Sequence, residues 1–327
     1  MSVAVITGAS GLLGGNLAAA LLAAGHTVRA TRRRSTKVDH LADLAIEWVD
    51  GDLGDAGALT AAFRGADVVF HAAAAVDVRK GVSAELTAGN VDGVRTVLSA
   101  FKAAGAKRLV HVSSVVAVGL STDGRPVDET ARWNFDLAGF ADGYAITKRQ
   151  GEELVRAATD LDAVIVNPTY MFGPRDVRPS SGRLIIDVAR RKVPGWTPGY
   201  NNFVDVRDVA RGMIAAWQKG ARGERYILGG HDLTYRAIME TIAGVAGVKP
   251  PRLGIPHLAA RAAGWWGDRA EARGKRTLVT STTIRYAFTD RFRFSSAKAI
   301  RDLGYAPSPI EPAIADAVAW FRAHRML

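Results

Sequence analysis

Val3-Ala4-Val5-Ile6-Thr7-Gly8-Ala9-Ser10-Gly11-Leu12-Leu13-Gly14 decides the fold. A β-branched run enters a glycine-rich turn, and Gly11 to Ala24 continues as helical, alanine-rich sequence with Leu12, Leu13, Leu17 and Leu21 on one face. Gly25 follows, where a helix C-terminal cap belongs. The glycines permit a tight turn, close approach of backbone to a pyrophosphate, and tight helix–strand packing. The helix N-terminus adds amide donors and a favourable dipole. A glycine-rich loop alone is an ordinary turn, but one flanked by strand and helix is the context of a dinucleotide loop. Gly8, Ser10, Gly11, Leu12, Leu13 and Gly14 are therefore expected to line a cofactor.

Outward from this loop, short β-branched runs alternate with helical stretches, the pattern of βαβ units on a parallel sheet. Strands are read at Val3–Thr7, Thr27–Thr31, Ile46–Val49, Val68–Ala72, Arg108–Ser113 and Val164–Asn167. After Asn167 the sequence turns to proline, glycine and aromatic residues. Val204–Trp217 reads as helix, Tyr226–Leu228 as one more strand, and about Pro312–His324 as an amphipathic final helix. The expected architecture is α/β: a doubly wound parallel Rossmann sheet from 1–167 plus 203–230, with a smaller C-terminal substrate-binding subdomain from 168–202 plus 231–327.

Composition narrows the function. The 327 residues are 48% apolar, ample for a buried core and unlike a disordered chain. With no cysteine, disulfide frameworks, thiolate metal sites and cysteine nucleophiles are excluded, and a reducing cytoplasm is the expected compartment. The longest early apolar run, Leu17–Ala24, falls short of the about 20 residues that span a bilayer, and Met1 leads directly into strand-like sequence, so neither membrane span nor leader is expected. No histidine–carboxylate grouping has metal-ligand spacing, and His71 and His111 are read as structural. The net charge of +11 concentrates between Arg252 and Arg301, with 11 Lys or Arg against Asp268, Glu271 and Asp290. Such a surface suits nucleic acid, anionic lipid, a phosphorylated small molecule or only water.

The end of the second strand bears on the nucleotide. An acid there would accept from a ribose 2′-hydroxyl, whereas arginine favours a 2′-phosphate. The sequence is Thr31-Arg32-Arg33-Arg34-Ser35-Thr36, with no acid before Asp39, which points to NADP(H) rather than NAD(H). Asp52 and Leu53 follow the third strand, where they would meet an adenine edge; Asp52 would equally cap the next helix.

Tyr144 and Lys148 stand four residues apart in Tyr144-Ala145-Ile146-Thr147-Lys148, on one helix face. A nearby cation lowers a phenol's pKa and makes it a usable proton donor and acceptor. Ser113 and Ser114 end the fifth strand, where a hydroxyl faces the ligand crevice and can hold a carbonyl oxygen. Together these groups suit carbonyl reduction or alcohol oxidation.

TGASGLLG, Asp52-Leu53, His71-Ala72-Ala73-Ala74, Asn90-Val91-Asp92-Gly93, Ser113-Ser114, YAITK and Asn167-Pro168-Thr169 together resemble the extended short-chain dehydrogenase/reductases, specifically the dihydroflavonol reductase-like branch. Phe203–Ala210 and Tyr226–Gly230 extend the resemblance over essentially the whole chain. It implies Ser114, Tyr144 and Lys148 as catalytic residues, with Tyr144 and Lys148 also holding the cofactor. It further implies Arg32 and Arg33 near a 2′-phosphate, with Arg33 the reader, and Ala72, Ala73, Ala74, Pro168 and Thr169 along the nucleotide. A small-molecule carbonyl or alcohol substrate follows, with no nucleic acid or membrane partner and homodimerisation beside the Tyr144 helix. Family spacing favours Ser114 over Ser113, and Asn90 is expected to fix backbone.

Trp133, Phe135, Tyr170, Met171, Phe172, Trp196 and Tyr200 are candidate pocket walls, suggesting an apolar or ring-containing ketone or aldehyde. An NAD(P)-dependent nucleotide-sugar epimerase or dehydratase is the rival enzyme, and a nonenzymatic dinucleotide sensor the rival outside catalysis. The intact Ser114, Tyr144 and Lys148 argue against the sensor.

Overall fold

Apolar strands alternate their side chains between two faces, so a strand apolar at every position must be covered on both. A computed structural model describing residues 1–77, 81–275, 277 and 279–327 shows this arrangement. Seven parallel strands are β1 (Val3–Thr7), β2 (Thr27–Arg32), β3 (Ile46–Asp50), β4 (Val68–His71), β5 (Arg108–Val112), β6 (Ala163–Pro168) and β9 (Arg225–Leu228). Their order is β3-β2-β1-β4-β5-β6-β9. Ala4, Ile6, Val68, Phe70, Val110 and Val166 pack on one face against Leu13, Leu17 and Leu21 of the Leu12–Ala23 helix and Val209 and Met213 of the Val206–Lys219 helix. Val5, Val69, Leu109 and Ile165 pack on the other against Leu59, Phe63, Val97, Phe101 and Val155.

The strand order reverses at β1, whose neighbours are β2 and β4. Ligands of open α/β sheets bind in the crevice at such a point, beyond the carboxyl ends of the strands. Gly8 lies on one side of that crevice and His71-Ala72-Ala73 on the other.

A second sheet departs from the sequence reading. Tyr170–Phe172 (β7) and Tyr200–Asp205 (β8) pair in parallel, and His231–Thr234 (β10) joins β8 antiparallel. Val204 is therefore strand, and the helix expected from Val204 starts at Val206, after Asp205 caps it by accepting from Arg207 N. Phe172 and Phe203 stack in a separate core with Ile185, Ile238, Ile242, Ile314 and Phe321. Cross-strand packing of three aromatic residues, Tyr170, Phe172 and Phe203, holds these short strands without a readable period-two pattern.

Candidate active site

The glycine loop is packed to the limit of main-chain approach. Gly8 has φ +81°, and a Cβ there would lie 2.6 Å from Ala73 N; at Gly14 it would lie 2.2 Å from Gly8 O. Ala72 N donates to Thr7 O at 3.1 Å, locking the segment after β4 beside the loop. The Leu12–Ala23 helix has no capping side chain and no acid in its first turn, which leaves its positive end for an anion. Thr169 Oγ1 and Asn167 Oδ1, at the end of β6 and just past it, are buried without a hydrogen-bond partner. These features fit a pyridine dinucleotide lying from loop to β6.

The three arginines separate. Arg32 is paired in register with Asp50, its guanidinium 3.7 Å from that carboxylate and over the Trp48 ring. Arg34 reaches the same carboxylate at 3.2 Å. Arg33 is exposed and its side chain has no ion-pair partner among the described residues. Beside Ser10 a cavity of about 470 Å³ is lined by Lys37, Asp39, His40, Val177, Arg178 and His324, bringing cations that the sequence reading passed over. Asp52 is exposed and accepts from Gly54 N at 2.9 Å; the cap of the Ala56–Phe63 helix is Asp55, not Asp52. Leu53 is half-buried against Gly93.

Tyr144 and Lys148 ride on the Gly143–Ala157 helix, capped by Asp142, which accepts from Ala145 N and from the Tyr286 hydroxyl. Gly151 lets this helix press on Asn90 O, where a Cβ would lie at 2.4 Å. Asn90, in a π-helical turn, grips Ala75 through both N–H and C=O and donates to Thr147 Oγ1 at 3.1 Å. It fixes backbone, as expected.

Ser114 lies beside the Tyr144 phenol, its Oγ accepting from Val116 N at 3.4 Å, whereas Ser113 is buried, with its hydroxyl unpartnered and its N–H on Val166 O. Alternate residues past β5 face opposite ways, so only Ser114 meets the phenol. Burial pushes Tyr144 up to about 12 despite the lowering effect of the Ser114 hydroxyl, with Asp142 adding to the rise. This departs from the sequence expectation of a phenol lowered by Lys148, because the ammonium is turned to Val112 O at 2.8 Å. Burial draws Lys148 down to about 8, opposed by the Glu152 carboxylate.

Glu152 and Arg225 were missed by sequence reasoning, which named Asn167 only within a family motif, and the three support the site from below. Asn167 donates to Ser114 O at 3.0 Å and to Glu152 at 2.7 Å, and Glu152 pairs with Arg225 at 2.9 Å, the last two contacts buried. Arg225 also donates to the Glu129 and Ala131 carbonyls. One signal was available: Tyr144, Lys148 and Glu152 step by four along one helix face. His71 and His111 lie side by side at the ends of β4 and β5, 5.3 Å between rings, and His71 meets Thr7 Oγ1 at 2.7 Å. Of the proposed pocket walls, Phe135 and Phe172 are wholly buried in the cores instead.

The arrangement belongs to a dinucleotide-dependent oxidoreductase. Residues 4–229 match the NAD dependent epimerase/dehydratase family model, and the chain belongs to that family, within the extended short-chain dehydrogenase/reductases. It is 37% identical to sterol demethylase protein B of Methylococcus capsulatus, covering 99% of each chain. It is 34% identical to a putative dihydroflavonol 4-reductase of Synechocystis, covering 98% of this chain and 94% of that one. The crystal structure of gox2253 superposes with a TM-score of 0.84 at 34% identity, covering 99% of each. The protein is an NAD(P)-dependent oxidoreductase, and no helix among its described residues is long and apolar enough to cross a membrane.

Proposed function

We propose that the protein is an NADP(H)-dependent carbonyl reductase, converting a hydrophobic ketone or aldehyde to its alcohol, reversibly. The observation that supports this reading is that Tyr144 and Lys148 stand one turn apart on the Gly143–Ala157 helix, with Ser114 beside the phenol and the Lys148 ammonium tied to the end of β5.

When bound, the reduced nicotinamide supplies hydride to the carbonyl carbon. Ser114 donates a hydrogen bond to the carbonyl oxygen, and Tyr144 gives that oxygen its proton. A phenol held near 12 is fully protonated at neutral pH, as a donor must be. Lys148, a buried cation anchored on Val112 O, offers its remaining donors to the nicotinamide ribose. Pro168 and Thr169 border the nicotinamide, and Ala72 to Ala74 run beside the pyrophosphate. Arg33, with no ion-pair partner among the described residues, reads the 2′-phosphate, and Lys37 lines the cavity beside Ser10. Asp52 and Leu53 flank the adenine. The substrate lies over residues of 168–202 and 231–327.

The test is a panel of hydrophobic ketones, aldehydes and nucleotide sugars, followed by the absorbance of the reduced nicotinamide. NADPH oxidation with the carbonyls is expected, falling at least about 100-fold in Tyr144→Phe while NADPH affinity is retained. Unchanged turnover in that variant would remove Tyr144 from the chemistry. Conversion of nucleotide sugars alone would favour the epimerase reading.

A further inference from the structure

The His257–Ala272 helix carries its apolar stripe on the wrong side for a core helix. Only Ala260, Gly264 and Gly267 are buried, against the segment entering the Ser281–Phe288 helix, where a Cβ on Gly264 would lie 3.0 Å from Ser281 N. Opposite them, Leu258, Ala262, Trp265 and Trp266 recur at i, i+4, i+7 and i+8, the spacing of one helix face. Leu258 is 77% exposed, Trp265 47% and Trp266 63%, and Leu253 just ahead of the helix is 74% exposed. Arg261, Arg269 and Arg273 and Lys275 are exposed around this stripe. Asp268 is turned back to accept from Ser281 N at 2.9 Å.

We propose that this face docks the protein on the surface of an anionic lipid bilayer. An interfacial helix combines Trp and Leu, which sink to the headgroup boundary, with Lys and Arg that meet anionic headgroups. The local charge selects this occupant over a second copy of the chain. A twofold contact would set Arg261, Arg269, Arg273 and Lys275 against the same residues of the other copy, whereas headgroup phosphates neutralise them. The charge surplus of the sequence between Arg252 and Arg301 centres on this region; of its eleven cations, Arg276 lies outside the described residues.

The helix bearing this face is linked to the candidate active site through its neighbour, the Ser281–Phe288 helix. His257, the first residue of the helix, lines a cavity of about 340 Å³ with Ala138, Phe140, Arg285 and Phe288. Tyr286, on the neighbouring helix, donates to Asp142, the cap of the helix bearing Tyr144. A docked molecule therefore holds this cavity near the apolar phase, where a hydrophobic carbonyl collects.

Co-sedimentation with phosphatidylcholine vesicles and with vesicles also containing phosphatidylglycerol tests the docking. Binding is expected only with phosphatidylglycerol, weakened by added salt and accompanied by a blue shift of tryptophan emission. Trp265→Ser with Trp266→Ser should lower vesicle partitioning by about tenfold or more. Arg269→Gln and Arg273→Gln should each lower it about fivefold. Thermal unfolding and NADPH turnover with a water-soluble carbonyl should be unchanged in all of them. The unfolding control stands even if no carbonyl is turned over, so failure of the proposed reaction leaves this test intact. No binding, equal binding to neutral vesicles, binding unaltered by these substitutions, or a dimer dissociated by the tryptophan pair would each overturn the proposal.

Discussion

Lys148 donates its buried ammonium to the main-chain carbonyl of Val112 at 2.8 Å, tying the Tyr144 helix to the end of β5. Burial draws this ammonium to about 8 and raises the Tyr144 phenol to about 12. The two groups therefore titrate in separate ranges. For reduction the phenol must be protonated and the ammonium charged, so kcat/KM should be level below about pH 8 and fall as Lys148 loses its proton. Lys148→Arg keeps a charge at all these pH values. An inflection near pH 8 that survives in that variant would assign it to another group.

Behind Ser114, the Glu152–Arg225 pair is almost wholly shielded, with side-chain exposures of 3% and 10%. Removing one partner strands the other charge, whereas removing both does not. Arg225→Met should lower the unfolding free energy by about 3–5 kcal/mol, read from urea denaturation at neutral pH. Adding Glu152→Met should restore a large part of that loss. Equal or greater loss in the double variant would show that packing and the Asn167 contact dominate.

Much of this molecule is legible in its sequence because the decisive signals are local. The seven strands of the main sheet follow from β-branched runs, and the glycine loop declares itself by its flanks. β7 and β8 do not, since Tyr170–Phe172 is too short to show a period and pairs with residues 30 or more positions away. That Tyr144 and Lys148 share a helix near the end of β5 was readable from spacing, but not the direction of the phenol's pKa. That direction depends on burial and on where the ammonium points, which only packing decides. Glu152 and Arg225 are 73 positions apart, and nothing in their local sequence links them.

The arginines after β2 yield a cofactor prediction. Asp50 engages Arg32 and Arg34 and leaves Arg33 free. A charge-assisted hydrogen bond contributes about 1.5–3 kcal/mol, so Arg33→Ala should weaken NADPH binding about 10- to 100-fold and NADH binding little. Titration of both nucleotides by fluorescence makes the comparison. Equal losses would show that Arg33 does not read the 2′-phosphate.

His71 and His111 make stability depend on acidity through the site itself. Both are fully buried beside the Lys148 cation, and His71 is drawn down to about 3 while His111 also falls well below the ordinary imidazole range. Desolvation is the larger cause in each, and the Lys148 charge adds to it. An unfolded histidine takes a proton near pH 6.5, but neither folded one does so until the pH is far lower. Between those values the unfolded state binds more protons, so folding stability must fall as pH falls, with a limiting slope of about 1.4 kcal/mol per pH unit for each histidine. From pH 6 to pH 5 the pair should cost about 2 kcal/mol, before most exposed carboxylates begin to titrate. Urea unfolding at the two pH values measures this, and His111→Gln should remove about half of the difference. If that variant keeps the full pH dependence, the acid sensitivity originates outside the histidine pair.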